Sequence, residues 1–224
     1  MAELTWDGLG EKLYEAGVSC GVLYKKKVTS SSGTTTTDPY GNAYAWNGLI
    51  SVSESPEGGD ANDMYADDTL YASIRGTEKF KASVECYTYP DAFAECLGET
   101  TAAPGLFIGG QLREPFGFVF KSLIGNDEDG LKKGYKLHLI YGCTASPSEK
   151  SYETLNDSPD AGTFSFDFDT IPVKVEGYKD ASHLTIDSRT ADPTKLATLE
   201  ALLFGATATD ARLPLPDEVI DTLS

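Results

Sequence analysis

Strict alternation of apolar and polar residues constrains this chain more than any other feature. Over Gly162–Thr170 (GTFSFDFDT), Phe164, Phe166 and Phe168 fall on one side, and Ser165, Asp167 and Asp169 on the other. Over Glu78–Tyr89, Phe80, Ala82, Val84 and Cys86 alternate with Lys79, Lys81, Ser83 and Glu85. A two-residue period puts successive side chains on opposite faces of a strand, so each segment offers one face to a core and one to water. A chain patterned this way folds as sheets that must cover one face.

Further strands are expected at Val18–Val28, Ala43–Ser53 and Thr69–Ile74, the last forming a hairpin with Glu78–Tyr89. Pro115–Ile124 and Lys133–Cys143 flank the acidic turn Gly125–Gly130, and Val173–Glu176 and His183–Asp187 complete the set. Thr29–Gly41, rich in Ser and Thr, and the acidic, Gly-rich Glu54–Asp68 read as long loops. Pro90–Leu97, closed by Gly98, reads as two helical turns.

One long helix is marked by Asp192 as N-cap, Pro193 in the first turn and Gly205 at the end. Leu196, Leu199, Leu202 and Leu203 share one face of it, as core packing. Leu213–Pro216 is expected to be extended. The whole is a mainly β, single-domain reading of residues 1–224: a β-sandwich or barrel flanked by one α-helix, with long loops and terminal arms. An N-terminal arm spans 1–16, the sandwich core 17–190, the helix 191–205 and a C-terminal arm 206–224.

With 40% hydrophobic and 11% aromatic residues, the chain can fill a sizeable core. Its 35 acidic against 18 basic residues give a net charge of −17, which argues against non-specific nucleic-acid binding through phosphate neutralisation. No apolar run approaches the roughly 18 residues of a membrane span. The start, MAELTWDGLGEKLYEAG, lacks the layout of a signal peptide, so the protein is expected to be made and left in a cytoplasm. Cys20, Cys86, Cys96 and Cys143 contain no C-x-x-C pair and are expected as free thiols.

The apparent chemical motifs are weak. Gly17-Val18-Ser19-Cys20-Gly21 matches the letters of a nucleophile elbow, but that motif needs a strand before it and a helix after it, and Val22-Leu23-Tyr24 reads as strand. Asp127, Glu128 and Asp129 resemble part of a calcium loop, yet its twelfth position falls on Lys136 where an acid is required; a solvated turn is expected. His138 lies in Leu137-His138-Leu139-Ile140 as a satisfied strand histidine, and His183 is the only other histidine. No Cys/His spacing supports zinc, and no Gly-rich loop opening a helix supports phosphate binding. Asn156-Asp157-Ser158 is read as a chance glycosylation match, and Lys25–Lys27 as a solvated strand end. No catalytic, metal or cofactor-binding residues are expected. Trp46–Pro56 and Tyr135–Pro159 pass from strand into Pro-bounded loop without chemistry, which points to surfaces built for protein contact.

Taken whole, the sequence resembles the major tail protein, or tail tube protein, of long-tailed bacteriophages (siphophages). The resemblance rests on Gly10–Tyr24, Trp46–Pro56, Tyr65-Ala66-Asp67, Tyr71–Arg75, Glu85–Glu95, Gly134–Pro159, Ala191–Leu199 and Arg212–Pro216, collinear over nearly the full length. The Thr-rich stretch Thr29–Asp38 is the main departure. The resemblance implies a β-sandwich with a flanking helix, assembled as hexameric rings stacked into a hollow tube. It implies as partners other copies of the chain, tape measure, tail tip and tail terminator proteins, and double-stranded DNA passing through without specific binding. It implies no enzymatic activity and no membrane, with the protein in the virion tail and, before assembly, in the host cytoplasm. Six copies at −17 would carry roughly −100 per ring, a charge that repels phosphates over a Debye length of about 8–10 Å. Asp167 and Asp169, or Glu85, are the expected lumenal acids. The alternative is a carbohydrate- or surface-binding sandwich module of a phage tail, with Trp46, Tyr40 and Tyr44 as stacking rings; a hydrolase using Ser19 is a third reading.

Overall fold

The computed structural model describes residues 6–26, 40–59, 61–76, 78–152, 154, 161–207 and 209–224. The strands are β1 (Tyr14–Lys26), β2 (Tyr40–Trp46), β3 (Leu49–Glu57), β4 (Ala61–Ala66), β5 (Thr69–Arg75), β6 (Lys79–Cys86), β7 (Thr100–Ala103), β8 (Leu106–Ile108), β9 (Phe116–Asn126), β10 (Gly130–Ala145), β11 (Phe164–Thr170) and β12 (His183–Asp187). The helices are α1 (Phe93–Cys96), α2 (Pro193–Phe204) and α3 (Pro216–Leu223). The protein is mainly β, as the alternation requires.

Eight strands form one sheet in the order β2-β1-β9-β10-β11-β6-β3, with β12 also paired to β10. β10 changes partner along its length: Lys136–Ile140 pair with β12, and Cys143–Ala145 with β11. Gly142 is the pivot. It has φ +63°, and a Cβ there would stand 2.1 Å from the Ile171 carbonyl oxygen, so only glycine fits. This change of partner folds the β11-β6-β3 half over the β1-β9-β10 half.

Two cores result. Between the halves lie Trp46, Val84, Phe93, Phe116, Phe118, Ile140, Phe166 and Phe168. On the opposite face of β1, β9 and β10, the residues Tyr24, Val119, Leu137, Leu139 and Tyr141 meet Leu196, Leu199 and Leu203 of α2, together with Leu213 and Val219. The alternation of β10 serves both: Leu137, Leu139 and Tyr141 face the helices, while Ile140 faces the other half-sheet. Asp192 caps α2, its carboxylate accepting from the backbone N–H of Thr194 at 2.9 Å and Lys195 at 3.1 Å.

Several expectations need correction. Glu54–Asp68 is not a loop: β3 continues to Glu57, and β4 begins at Ala61. Thr69–Ile74 does not pair with Glu78–Tyr89; β5 pairs with β4, while β6 lies between β3 and β11. Gly and Asp in this stretch suggested a loop, but the cross-strand pairs decide the conformation. Ala43–Ser53 divides at Asn47-Gly48 into two strands, and Val173–Glu176 makes only an isolated bridge from Val173 to Ala181. Tyr14, Glu15 and Ala16, counted with the N-terminal arm, pair with Gly125, Ile124 and Leu123. The C-terminal segment 206–224 carries α3 and is docked: Leu213 N–H donates to the Tyr40 carbonyl at 3.1 Å, and the Tyr141 hydroxyl to the Pro214 carbonyl at 2.9 Å. Helix Pro90–Leu97 shrinks to the single turn of α1. The part of loop Thr29–Gly41 before Tyr40, and Asn156-Asp157-Ser158, lie outside the described residues.

Candidate functional site

The outer face of the folded-over half-sheet follows directly from strand register. Ser51 pairs with Glu85, Ser53 with Ser83 and Ser55 with Lys81. On the other side of β6, Glu85 pairs with Ser165, Ser83 with Asp167 and Lys81 with Asp169. Their neighbours Ala82, Val84, Cys86, Phe166 and Phe168 are buried inside. The outward face is therefore a three-by-three grid of five serines, three carboxylates and one lysine. Lys81 is held 3.0 Å from Glu57 and 3.8 Å from Asp169, and Glu57 first, then Asp169, raises its pKa. Such a face offers short hydroxyls and a slight excess of negative charge.

The β3–β6 pair also continues outward. Glu57 pairs with Lys79, the backbones of Gly59 and Gly76 pass in contact, and the ladder resumes with Ala61 opposite Arg75 in β4–β5. A Cβ on Gly59 would meet the Gly76 Cα at 2.9 Å, which makes the neck backbone against backbone. Beyond it, Met64, Tyr65, Leu70, Tyr71 and Ile74 are exposed, Tyr71 by 76%. A second small hairpin, β7–β8, exposes Leu106, Phe107 and Ile108. Two-stranded ribbons are marginal in water without a covering surface, and apolar side chains gathered on them mark contact sites.

The candidates read from sequence settle as follows. Ser19 sits mid-strand at a bulge of β1, its hydroxyl 3.5 Å from the Lys121 carbonyl, without the strand–turn–helix setting of a nucleophile elbow. Trp46 is buried, 2% exposed, with its indole N–H donating to the Thr88 carbonyl at 3.0 Å; Tyr40 is buried too. Of the three proposed stacking rings only Tyr44 is exposed, so they form no glycan platform. Asp129 belongs to a turn closed by Asn126, whose side-chain oxygen accepts its N–H at 2.6 Å. Lys25, expected as a solvated strand end, is instead largely covered and pairs with Glu95 and Glu114. The four cysteines are free: Cys86, Cys96 and Cys143 are buried and Cys20 is exposed.

One cluster escaped the sequence reading. Glu54 of β3, His138 of β10 and His183 of β12 converge, with Glu54 Oε1 3.0 Å from His138 Nδ1 and 3.1 Å from His183 Nε2. His138 stands on the same face of β10 as Ile140, and Glu54 on the inward face of β3 with Val52. Both positions face the sandwich interior. The rings are stacked in a column: Phe120 on His138 at 4.4 Å, His138 on His183 at 5.7 Å, and His183 on Phe80 at 4.8 Å. His138 Nε2 meets the Ser122 hydroxyl at 3.0 Å, and His183 Nε2 meets that of Thr185 at 3.2 Å. Burial by itself would raise the Glu54 carboxyl, but the two imidazoles outweigh it and hold the pKa at about 2. No spacing in the sequence marks this cluster; the one signal is a charged residue in the inward phase of Val52-Ser53-Glu54-Ser55, visible only once Glu54 is known to lie in β3.

No protein-family model matches the sequence, and no curated protein is found similar to it. Among the described residues, no helix is long and apolar enough to cross a membrane.

Proposed function

We propose that this chain is a structural subunit of a bacteriophage tail tube, polymerising as stacked rings through which DNA passes. The observation that carries this reading is the serine- and acid-rich outer face of β3, β6 and β11. A conduit for double-stranded DNA needs a wall that neither grips phosphates nor offers apolar steps on which bases can stack. That face meets both needs, with Asp167, Asp169 and Glu85 as its acids and Lys81 neutralised by Glu57 and Asp169. The net charge of −17 adds a long-range repulsion in the same sense.

Assembly has its own supports. The path of the main sheet ends at β2 and β3, whose outer edges have no paired strand among the described residues. An open edge is a template for a strand of another chain, and a head-to-tail contact closes into a ring when the rotation suits. The exposed apolar residues of β4–β5 and β7–β8 add surface for contacts between copies. By the same resemblance, tape measure, tip and terminator proteins are the other partners.

Electron microscopy of the concentrated protein and of purified phage particles tests the proposal, with hollow tubes built from this chain as the expected result. A chain that stays monomeric and is absent from particles refutes it. The wall has a separate test: Ser83→Lys with Asp167→Lys should leave tubes intact but make them retain DNA in low salt. Equal DNA retention by both proteins would remove the role assigned to that face.

A further inference from the structure

We propose that Glu54, His138 and His183 form a binding site for a divalent transition-metal ion, with Zn2+ as the first candidate, which clamps the two halves of the sandwich. The donors come from three strands: β3 in the folded-over half, and β10 and β12 in the other. All three donor atoms lie within 4.8 Å of one another. The two carboxylate-to-imidazole distances of 3.0 and 3.1 Å are near the roughly 3.3 Å edge of a tetrahedron with metal–ligand bonds of about 2.0–2.1 Å.

The imidazoles favour the Glu54 carboxylate, but the geometry between them is not that of a finished hydrogen-bond network. Glu54 Oε1 and His138 Nδ1 are buried atoms 3.0 Å apart, yet neither makes an aligned hydrogen bond. His138 is nine-tenths buried, and its Nδ1 is directed into the cluster. Buried polar atoms left in this state are costly unless something else satisfies them. A cation that accepts a lone pair from each does so.

The surroundings fit a metal. Ser122 holds the far nitrogen of His138, the second contact that orients a ligating imidazole. Two imidazoles and one carboxylate suit zinc and its neighbours better than Mg2+ or Ca2+, which require more oxygen ligands. Glu54 and His183 remain 26% and 21% exposed in their side chains, leaving a solvent-side position for water as fourth ligand. His138 is held by Ser122 and Phe120, so any adjustment on binding falls to His183, whose Nε2 would exchange the Thr185 hydroxyl for the ion. A chain with only two histidines has brought both to one carboxylate.

Two histidines also make the test direct. In metal-free, untagged full-length protein, nitrogen-15 spectra of the imidazoles contain two ring systems. One equivalent of Zn2+ should shift His138 Nδ1 and His183 Nε2 together and saturate there, in the presence of millimolar Mg2+. At a free Zn2+ concentration 100-fold above Kd, the melting temperature should rise by about 5–10 °C. Glu54→Gln and His183→Gln, both at partly exposed positions, should each weaken binding at least tenfold. The inference is overturned if neither ring or only one responds, if Mg2+ displaces the ion, or if the two variants bind as the wild type does. None of these readouts depends on tube formation, so the site stands or falls separately from the proposed function.

Discussion

Replacing Trp46 by alanine separates a structural from a ligand-binding role for the most distinctive aromatic in the chain. The indole is 2% exposed and lies 4.6 Å from Phe93, 5.4 Å from Phe118, 6.3 Å from Phe166 and 6.4 Å from Phe168, centroid to centroid. Removing a buried aromatic of this size costs about 3–5 kcal/mol in lost transfer energy and cavity formation. Loss of the N–H donation to the Thr88 carbonyl adds about 0.5–1 kcal/mol, at the low end because Thr88 is near the surface. The sum, about 3.5–6 kcal/mol, corresponds to a drop in melting temperature of roughly 7–24 °C for a domain of this length. Trp46→Phe keeps most ring contacts and should cost about 1–2 kcal/mol, while Tyr44→Ala at the exposed neighbour should stay within about 0.5 kcal/mol. Urea titrations followed by far-UV circular dichroism would read these as midpoint shifts at constant slope. A Trp46→Ala loss below about 2 kcal/mol, or loss of saccharide binding without loss of stability, would refute the buried-keystone assignment.

Other substitutions test the second core and its edges. Tyr24→Phe removes a buried hydroxyl that donates to the Leu203 carbonyl at 2.6 Å in the last turn of α2, and should cost about 1–2 kcal/mol by the same titration. Glu218 is held below the ordinary carboxylate range, chiefly by the hydrogen bond from Arg212, whose Nη1 lies 2.8 Å from Oε2. A depressed carboxylate gives stability that is full above its unfolded value and is lost as pH falls through its folded one. Hydrogen exchange in α3 should therefore accelerate only as pH falls below the ordinary carboxylate value of 4.5, and Glu218→Gln should lose that pH dependence. Ellman's reagent should titrate one thiol in the native protein, Cys20, and four on unfolding; burial raises Cys96 to about 12, so moderate alkali should not release a second. Two fast-reacting thiols in the native state would contradict the packing around Cys86, Cys96 and Cys143.

The parts of the fold legible in the sequence were those where a local rule and the tertiary structure agree. Phe166 and Phe168 are buried and Asp167 and Asp169 exposed because the period-2 pattern of β11 coincides with a true inside and outside. Asp192, Pro193 and Gly205 bound α2 because capping needs only neighbours along the chain. The pairing of β4 with β5 is not legible locally because Gly58, Gly59 and the Asp-rich turn resemble loop, and only partner strands tell a ribbon from one. α3 is masked by the two prolines of Leu213–Pro216, which favour an extended tail, although a proline at the first helical position is compatible with a helix beginning at Pro216. The Glu54–His138–His183 cluster joins residues from three separate strands, and nothing local announces their meeting.

The order of strands also sets a clock. β1 pairs with β9, so Tyr14 waits for Gly125, and β6 pairs with β11, so Cys86 waits for Phe164. At ribosomal speeds of about 5–20 residues per second, roughly 5–20 s separate the synthesis of β1 from that of its central neighbour. During that interval β1 has only β2 beside it, and the edge that will pair with β9 stays open. The sandwich cannot close until β9, β10 and β11, at the centre of the sheet path, have been made. Strand order therefore keeps the sandwich open until β10 and β11, which join its two halves, have both been made.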